Sequence, residues 1–290
     1  PVSILVKENS KAIQFLSDNR NIDEIIILDR DNKNKSGRHD GFIGSFNLIK
    51  ELKKYNFDKI FIFNSSFRFN LIAKIAGIKS VHQYQLFKKK NQHIITTANN
   101  FLKKEIDLDV KSDPQILIDK KLMNETKLRY EIKDNQLNIL LGIGGSGTTK
   151  RIPSKIFIKF MDLVSKNYDC KFFLATGKNE EEQIILNEIL NSDFKEKCLP
   201  LDNLELKEIM PIIKNCKISI CNDSSFSHLS AALGIQTIVL MSDTPLLYGS
   251  YSPRMHPIIP DGESSVTHDT KGKEKINPKK ILEKLNNILN

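Results

Sequence analysis

The sequence predicts an α/β protein made of two doubly wound, Rossmann-like domains in tandem. Three observations carry this expectation. Short β-rich runs alternate with longer segments of helical period through most of the chain, the mark of stacked βα units with parallel sheets. With 290 residues and 40% hydrophobic content, the chain has the length and apolar mass for two medium cores. The alternation weakens once, between Ile106 and Asn135, where Pro114 and scattered charges interrupt it.

In the first half, VSILV from Val2, EIIIL from Glu24, KIFIF from Lys59 and SVHQY from Ser80 read as strands. Phe42 to Tyr55 reads as a helix, with Phe42, Phe46, Ile49 and Leu52 at three- and four-residue spacing. Another runs from Phe69 to Ala76 and stops at Gly77, a suitable residue for the position after a helix. The second half restarts with LNILLGI. It continues through FFLAT, a short strand near Cys198, KISICN and QTIVLM, each separated by a helical segment. The last helix, Ile276 to Leu289, starts beside Asn277-Pro278, a good N-terminal signal. The expected organisation is a first domain over 1–110, a connection over 111–135 and a second domain over 136–275. A closing helix over 276–290 then packs back on the first domain.

A net charge of +9 suits nucleic acid, an anionic membrane face or phosphorylated substrates. Lys, Ile and Asn are abundant throughout and no stripe of Arg with interleaved aromatics is present, so nucleic acid is set aside. The run KGKEKINPKK, residues 271–280, reads as a solvated stretch. Cys170, Cys198, Cys216 and Cys221 lie far apart without a C-x-x-C pair. Cys170 and Cys221 fall inside strand-like runs and read as small buried thiols, so neither a disulfide nor a metal is expected. No apolar run reaches the length of a membrane span and no leader precedes a cleavage site, so a soluble, cytoplasmic protein is expected.

The stretch GIGGSGTTKRIP, Gly142 to Pro153, follows the first strand of the second half. Gly142, Gly144 and Gly147 satisfy G-x-G-x-x-G, but a dinucleotide site needs a helix opening at once and an acidic residue ending the next strand. Here the helix waits for Pro153 and the next strand ends in Thr176-Gly177-Lys178. A P-loop fails because Thr148, not Lys, follows Gly147. What remains is a turn whose glycines let backbone N–H groups approach an anion. Ser146, Thr148, Thr149 and Lys150 supply hydroxyls and a point charge beside it. That is diphosphate chemistry without a metal.

A second anion turn follows KISICN: Asp223, Ser224, Ser225, Phe226, Ser227 and His228, then the small-residue helix LSAALG closed by Gly234. A helix beginning there sets its N–H groups and positive dipole end at the carboxyl edge of a strand, where ligands bind in open α/β sheets. Asp223 or Ser224 is equally suited to cap that helix, and His228 to pack within it.

These two turns, in this order, resemble glycosyltransferase family 9, the lipopolysaccharide heptosyltransferases. GGSGTTKRIP parallels the family's G-A-S-x-x-T-K-x-W-P with Ile152 for Trp, and DSSFSH resembles D-T-G-x-x-H with Ser224 for Thr and Ser225 for Gly. SDTPLLYGSYSP, with Thr244 and Tyr251-Ser252-Pro253, is similar to G-P-T-D-P and the following Y-S-P. YNFDKIFIFNSSFRFNLIAKIAGIK resembles the Y-D-x-V-I-D-L-Q-x-S-x-R-S-x-L-x-A-x-x-A-G stretch of the first half. The family begins with a strand and a loop carrying Gly-Asp, whose Asp is the proposed base. No such pair precedes Val2, so the first domain is expected to be incomplete at its start and the catalytic base is left unknown. Asp40 and His39 carry no supporting motif.

The resemblance implies a GT-B fold, with an acceptor-side first domain facing a nucleotide-sugar-binding second domain across a cleft. It implies inverting, metal-independent transfer of a heptose from ADP-heptose to an anionic lipopolysaccharide core-type acceptor, with no cofactor. Lys150, Thr148, Thr149, Ser224 and Ser225 would stabilise the charge growing on the β-phosphate, with Lys150 as the transition-state cation. Asp223 would hold sugar hydroxyls or the turn, His228 the sugar or a phosphate, and Thr244 would line the site. Among Glu180, Glu181 and Glu182, the family pattern favours Glu181 for the ribose hydroxyls. Ser65, Ser66 and Arg68 line a strand end on the acceptor side, and the basic charge suits peripheral contact with the inner membrane face. Two alternatives stay open: a transferase of the same fold using another nucleotide sugar, and a nucleotide-sugar-binding module without activity.

Overall fold

The computed structural model describes residues 1–17, 19–30, 36–84, 94–110 and 113–290. The chain divides into two compact units, Pro1–Lys111 and Ser112–Asn290.

The first unit runs β1 (Ser3–Lys7), α1 (Ala12–Leu16), β2 (Glu24–Leu28), α2 (Gly41–Tyr55), β3 (Lys59–Ile62), α3 (Phe67–Ile75), β4 (Ser80–Gln83) and α4 (Ile94–Ile106). The four strands fall where the β-branched runs predict them. They pair in parallel two by two, Ser3 opposite Glu24 and Lys59 opposite Ser80. Leu48, Ile49 and Leu52 of α2 and Ile72 of α3 close over Leu28 of β2, so Ile49 and Leu52 of the expected stripe are buried as read, whereas Phe42 and Phe46 stand exposed and Leu48 takes their place in the core. A smaller cluster joins Ala73 of α3 to Ile62 and Ile78. Arg68 ties the starts of the two helices together, donating to Ser45 Oγ at 3.0 Å and to the carbonyls of His39 and Gly41.

The second unit runs α5 (Lys120–Arg129), β5 (Leu137–Gly142), α6 (Ser154–Ser165), β6 (Cys170–Ala175), α7 (Glu180–Leu190), β7 (Cys198–Pro200), α8 (Leu206–Lys214), β8 (Ile218–Asn222), α9 (Ser225–Ala232), β9 (Gln236–Leu240), β10 (Met255–Ile258) and α10 (Pro278–Leu289). Its sheet is parallel throughout, in the order β10-β9-β8-β5-β6-β7. The chain winds outward from β5 through β6 to β7, then returns to the other side of β5 and winds through β8 and β9 to β10. The direction of winding therefore reverses between β5 and β8, and the crevice beyond their carboxyl ends is where such sheets bind ligands.

Both faces of this sheet are covered, which explains the unbroken apolar runs. Ile139, Leu140, Leu141, Ile218, Ile220, Ile238 and Leu240 are all buried. Three elements differ from or add to the sequence reading. β10 has no counterpart in the sequence reading: MHPI is short and contains Pro257, which an edge strand paired with β9 tolerates. The segment read as a connection contains α5, whose N-cap Asp119 accepts from the N–H groups of Lys121 and Leu122, and α5 packs on α8. α10 starts after Asn277, whose side chain accepts from Lys279 N, and buries Ile281 and Leu285 against α6 and the sheet of its own unit. Gly234 takes a φ of +84° after α9, the left-handed stop expected for a glycine there. All four cysteines are free thiols, and burial pushes Cys170 up to about 11 and Cys198 and Cys221 up to about 12.

Candidate functional site

The two sequence-predicted turns leave neighbouring strands on either side of the winding reversal. Gly142, the last residue of β5, stands opposite Cys221 of β8, and a Cβ on Gly142 would lie 2.6 Å from the Cys221 sulfur. Buried Asn222, at the end of β8, donates from Nδ2 to the carbonyls of Ile143 and Gly144 at 2.8 and 3.2 Å. The start of one turn is thereby stitched to the start of the other.

The glycine-rich turn is shaped from below by Glu182, in the first helical turn of α7. Its Oε1 accepts the Gly145 N–H at 2.7 Å, and its other oxygen accepts from Asn179, the N-cap residue. The carboxylate approaches so closely that a Cβ on Gly144 would sit 2.5 Å from Oε1, and one on Gly177 would strike Oε2. The glycines at 144 and 177 thus answer to one buried acidic side chain. Arg151 clamps the turn from the other end, donating Nε to the Gly145 carbonyl at 2.8 Å and pairing with Glu181. Ile152, which stands for the family's Trp, is fully buried in the core.

Downstream, Ser242 Oγ donates to the Thr149 carbonyl at 2.9 Å and Lys273 Nζ to the Thr148 carbonyl at 3.0 Å. Lys271 N donates to Asp243 Oδ1 and Gly272 N to the Ser242 carbonyl. The run 271–280 is therefore not simply solvated: its first three residues fasten the 148–149 backbone to the Ser242-Asp243-Thr244 turn. Backbone donors, which a charge count does not register, make that difference.

The second turn ends in α9 as expected. Ser224 is the N-cap residue with extended backbone, yet its hydroxyl makes no capping bond and has no partner. Ser225 opens the helix and is absent from the residues of positive φ, so a serine fits where the family carries glycine. Asp223 does not cap either: its Oδ2 lies 2.8 Å from Lys150 Nζ, an ion pair in which the carboxylate is buried and the ammonium reaches the surface. Ser146, Thr148 and Ser225 are exposed, and Thr149 and Lys150 half-buried. Thr244 is buried, and its hydroxyl has no hydrogen-bond partner.

His228, one turn into α9, stacks on Tyr251 with ring centroids 5.5 Å apart and its Nδ1 lies 2.7 Å from the Tyr251 hydroxyl. Burial pushes that phenol up to about 12, with the charge of Asp113 adding to the effect. Asp113 accepts from Ser252 Oγ at 2.7 Å and pairs with Arg254. Tyr251 and Ser252 of the Y-S-P trio thus hold His228 and Asp113.

Three residues escaped the sequence reading. Glu182 is one of three consecutive acidic residues, of which the family pattern favours Glu181. Asn222 read only as a strand end, and Asp113 lay in the presumed connection. Each works through a partner remote in sequence, which no local pattern announces. In the first unit, His39 is fully buried, accepting from Asp29 N and lying 3.1 Å from Glu51, and Asp40 accepts from Gly37 N; both organise the loop before α2. Arg68 is spent on the α2–α3 junction rather than presented at a strand end.

The sequence model of glycosyltransferase family 9 (heptosyltransferase) matches residues 45–276. Lipooligosaccharide heptosyltransferase 2 of Campylobacter jejuni is 27% identical over 255 residues, covering 84% of this chain and 76% of the relative. Among solved structures, the Escherichia coli ADP-heptose lipopolysaccharide heptosyltransferase II superposes with a TM-score of 0.75 at 18% identity, over 99% of this chain and 88% of that one. An E. coli heptosyltransferase solved with ADP gives 0.71 at 13% identity, over 99% and 89%. The α/β architecture is that of the GT-B glycosyltransferases.

Proposed function

Since this chain belongs to glycosyltransferase family 9, the heptosyltransferases, we propose that it transfers a heptose or similar sugar from ADP-heptose to a lipopolysaccharide core-type acceptor, with inversion and without a metal ion. The observation that supports this most is the meeting of Lys150 and the Asp223–Ser225 bend at the reversal between β5 and β8. A cation, a helix N-terminus and a glycine-shaped turn at one sheet edge suit a pyrophosphate.

In the proposed reaction the acceptor hydroxyl attacks the anomeric carbon from the side opposite the nucleotide. The bond from that carbon to the diphosphate oxygen breaks, and the acceptor proton passes to a general base. ADP departs carrying new charge on its β-phosphate. Lys150, the hydroxyls of Ser146, Thr148 and Thr149, and the α9 N-terminus at Ser224 and Ser225 take up that charge. Removing one such donor typically raises a barrier by about 2.7–4 kcal/mol. Asp223 holds Lys150 until the donor arrives and then turns to sugar hydroxyls, so that it does not oppose the phosphate. Glu181 accepts from the ribose, while His228, fixed by Tyr251, and Thr244 line the sugar side. The first unit takes the anionic glycolipid acceptor, with peripheral contact at the inner membrane face.

Thermal shift with a panel of ADP-, GDP- and UDP-sugars tests the donor. ADP-heptose is expected to raise the melting temperature most, and ADP release in the presence of acceptor to continue in EDTA. A larger shift with a GDP- or UDP-sugar would replace the donor assignment, and loss of turnover in EDTA would end the metal-free one. Donor binding without turnover, in protein carrying an upstream strand and Gly-Asp loop, would reduce the chain to a binding module.

A further inference from the structure

The charge of this protein is unevenly placed. Pro1–Lys111 contains 20 Lys and Arg against 12 Asp and Glu, so +8 of the chain's +9 belongs to the first unit and +1 to the second. The same unit leaves large apolar side chains in water. Phe42 is 79% exposed, Ile43 76% and Phe46 51% on α2, and Phe67 54%, Leu71 46% and Ile75 48% on α3. Scattered exposed apolar residues are ordinary, but these six lie on two helices that pack on each other.

Helical spacing and one hydrogen bond bring them together. Phe42, Ser45 and Phe46 stand at i, i+3 and i+4 on one side of α2, with the two rings edge to face at 5.1 Å. Arg68, Leu71 and Ile75 stand at i, i+3 and i+7 on one side of α3. The 3.0 Å bond from Arg68 Nε to Ser45 Oγ joins those two sides, so both apolar stripes flank the same helix–helix seam. Exposed lysines continue the stripes: Lys50 and Lys53 lie four and seven residues beyond Phe46, and Lys74 sits beside Ile75. Aromatic and aliphatic tips bordered by lysine, on a unit of strong positive charge, form the surface an anionic bilayer attracts and inserts.

We propose that the outer face of α2 and α3 docks this protein on an anionic lipid surface, with Phe42, Phe46, Phe67 and Leu71 entering the headgroup boundary and Lys50, Lys53 and Lys74 facing its phosphates. This rests on the reading of a glycolipid acceptor on the first unit; none of these residues belongs to the donor turns, so docking is separable from donor binding.

Co-sedimentation of the full chain with vesicles of phosphatidylcholine alone, or mixed with phosphatidylglycerol, tests this. The protein is expected to pellet with the mixed vesicles and stay in solution with phosphatidylcholine alone. The triple change Phe42→Ser, Phe46→Ser, Leu71→Ser should lower the partition coefficient at least about tenfold, and Lys50→Glu with Lys53→Glu should do the same for mixed vesicles. All five side chains project into solvent, so circular dichroism and the ADP-induced melting shift should match wild type. Equal pelleting of the variants, or wild type left in solution by both vesicles, overturns the proposal. So does a dimer, seen by analytical ultracentrifugation, that the same substitutions disperse, for then the face belongs to a second copy of the chain.

Discussion

Lys150 and Asp223, 73 residues apart in sequence, hold their charged atoms 2.8 Å apart where β5 and β8 end side by side. The carboxylate is 6% exposed and the ammonium 25%, so the two do not share the cost of pairing equally. Asp223 has left water and depends on its partner, whereas Lys150 retains a path to solvent and to a ligand.

From this asymmetry, Lys150→Met should destabilise the fold more than Asp223→Asn. Losing the lysine strands a buried carboxylate, at about 1–3 kcal/mol, while losing the charge of Asp223 leaves a partly hydrated ammonium. The double variant should recover part of the loss. Urea unfolding of all four proteins measures the coupling. Turnover should fall at least about tenfold in Lys150→Ala if, as proposed, the cation also serves the leaving diphosphate. An unchanged donor titration would defeat the assignment of Lys150.

Glu182 is expected to govern the glycine turn through the Gly145 N–H. Glu182→Gln keeps an acceptor of the same reach and should hold donor affinity near wild type. Glu182→Ala orphans a buried amide, costing about 1–3 kcal/mol in stability, and should weaken donor binding in parallel. Isothermal titration with ADP, set beside urea melts, separates the two effects. Equal behaviour of the two variants would show that the carboxylate only fills space.

The same side chain makes Gly144→Ala a close-contact lesion. The new Cβ would fall 2.5 Å from Glu182 Oε1 and 3.1 Å from the Thr176 Cα, and of the two only the carboxylate can move. Destabilisation of about 1–3 kcal/mol is expected. Combining Gly144→Ala with Glu182→Ala should relieve part of it, which a double-mutant cycle by urea unfolding reads directly.

Tyr251→Phe removes the hydroxyl beside His228 and keeps the stacked ring. The imidazole loses its 2.7 Å anchor, so turnover should drop severalfold while the melting temperature moves little. A melting temperature that collapses with turnover unchanged per folded molecule would make Tyr251 a packing residue alone.

Alkaline pH should unfold the protein through its buried acids. Burial pushes Tyr251 up to about 12 in the folded protein, and Cys198 and Cys221 also up to about 12, above the ordinary 10 and 9 of the open chain. Raised folded values mean that the unfolded chain gives up protons first. The stability these groups contribute is intact below pH 9 and is lost progressively as pH climbs toward 12. Melting temperatures between pH 8 and 11 should therefore fall steadily. At pH 8, Cys216 and Cys221 should react with a thiol reagent only after denaturant is added.

Much of this was legible in the chain. Apolar, largely β-branched runs marked nine of the ten strands among the described residues, most plainly in the second unit, where a parallel strand covered on both faces must be apolar along its whole length. MHPI escaped, since a four-residue edge strand with a proline carries little of that signal. The two turns were legible because glycines, hydroxyls and a lysine after a strand are a local chemical statement. Between Glu181 and Glu182, however, the chain offered no choice: consecutive residues at a helix start look alike in sequence. Only the position of Gly145 makes one a buried support and leaves the other paired with Arg151 at the surface.

By itself, then, the sequence determined the alternation of strand and helix, the two polar turns with their order, and the family, all of which depend on residues within a few positions of one another. The tertiary structure alone decided that Asp223 meets Lys150, that Glu182 and Asn222 brace the glycine turn, and that residues 271–273 fasten it from far downstream. Those pairings follow from the reversal of winding between β5 and β8, which sets distant segments side by side, and hydrogen bonds and ion pairs depend on distance in space rather than along the chain.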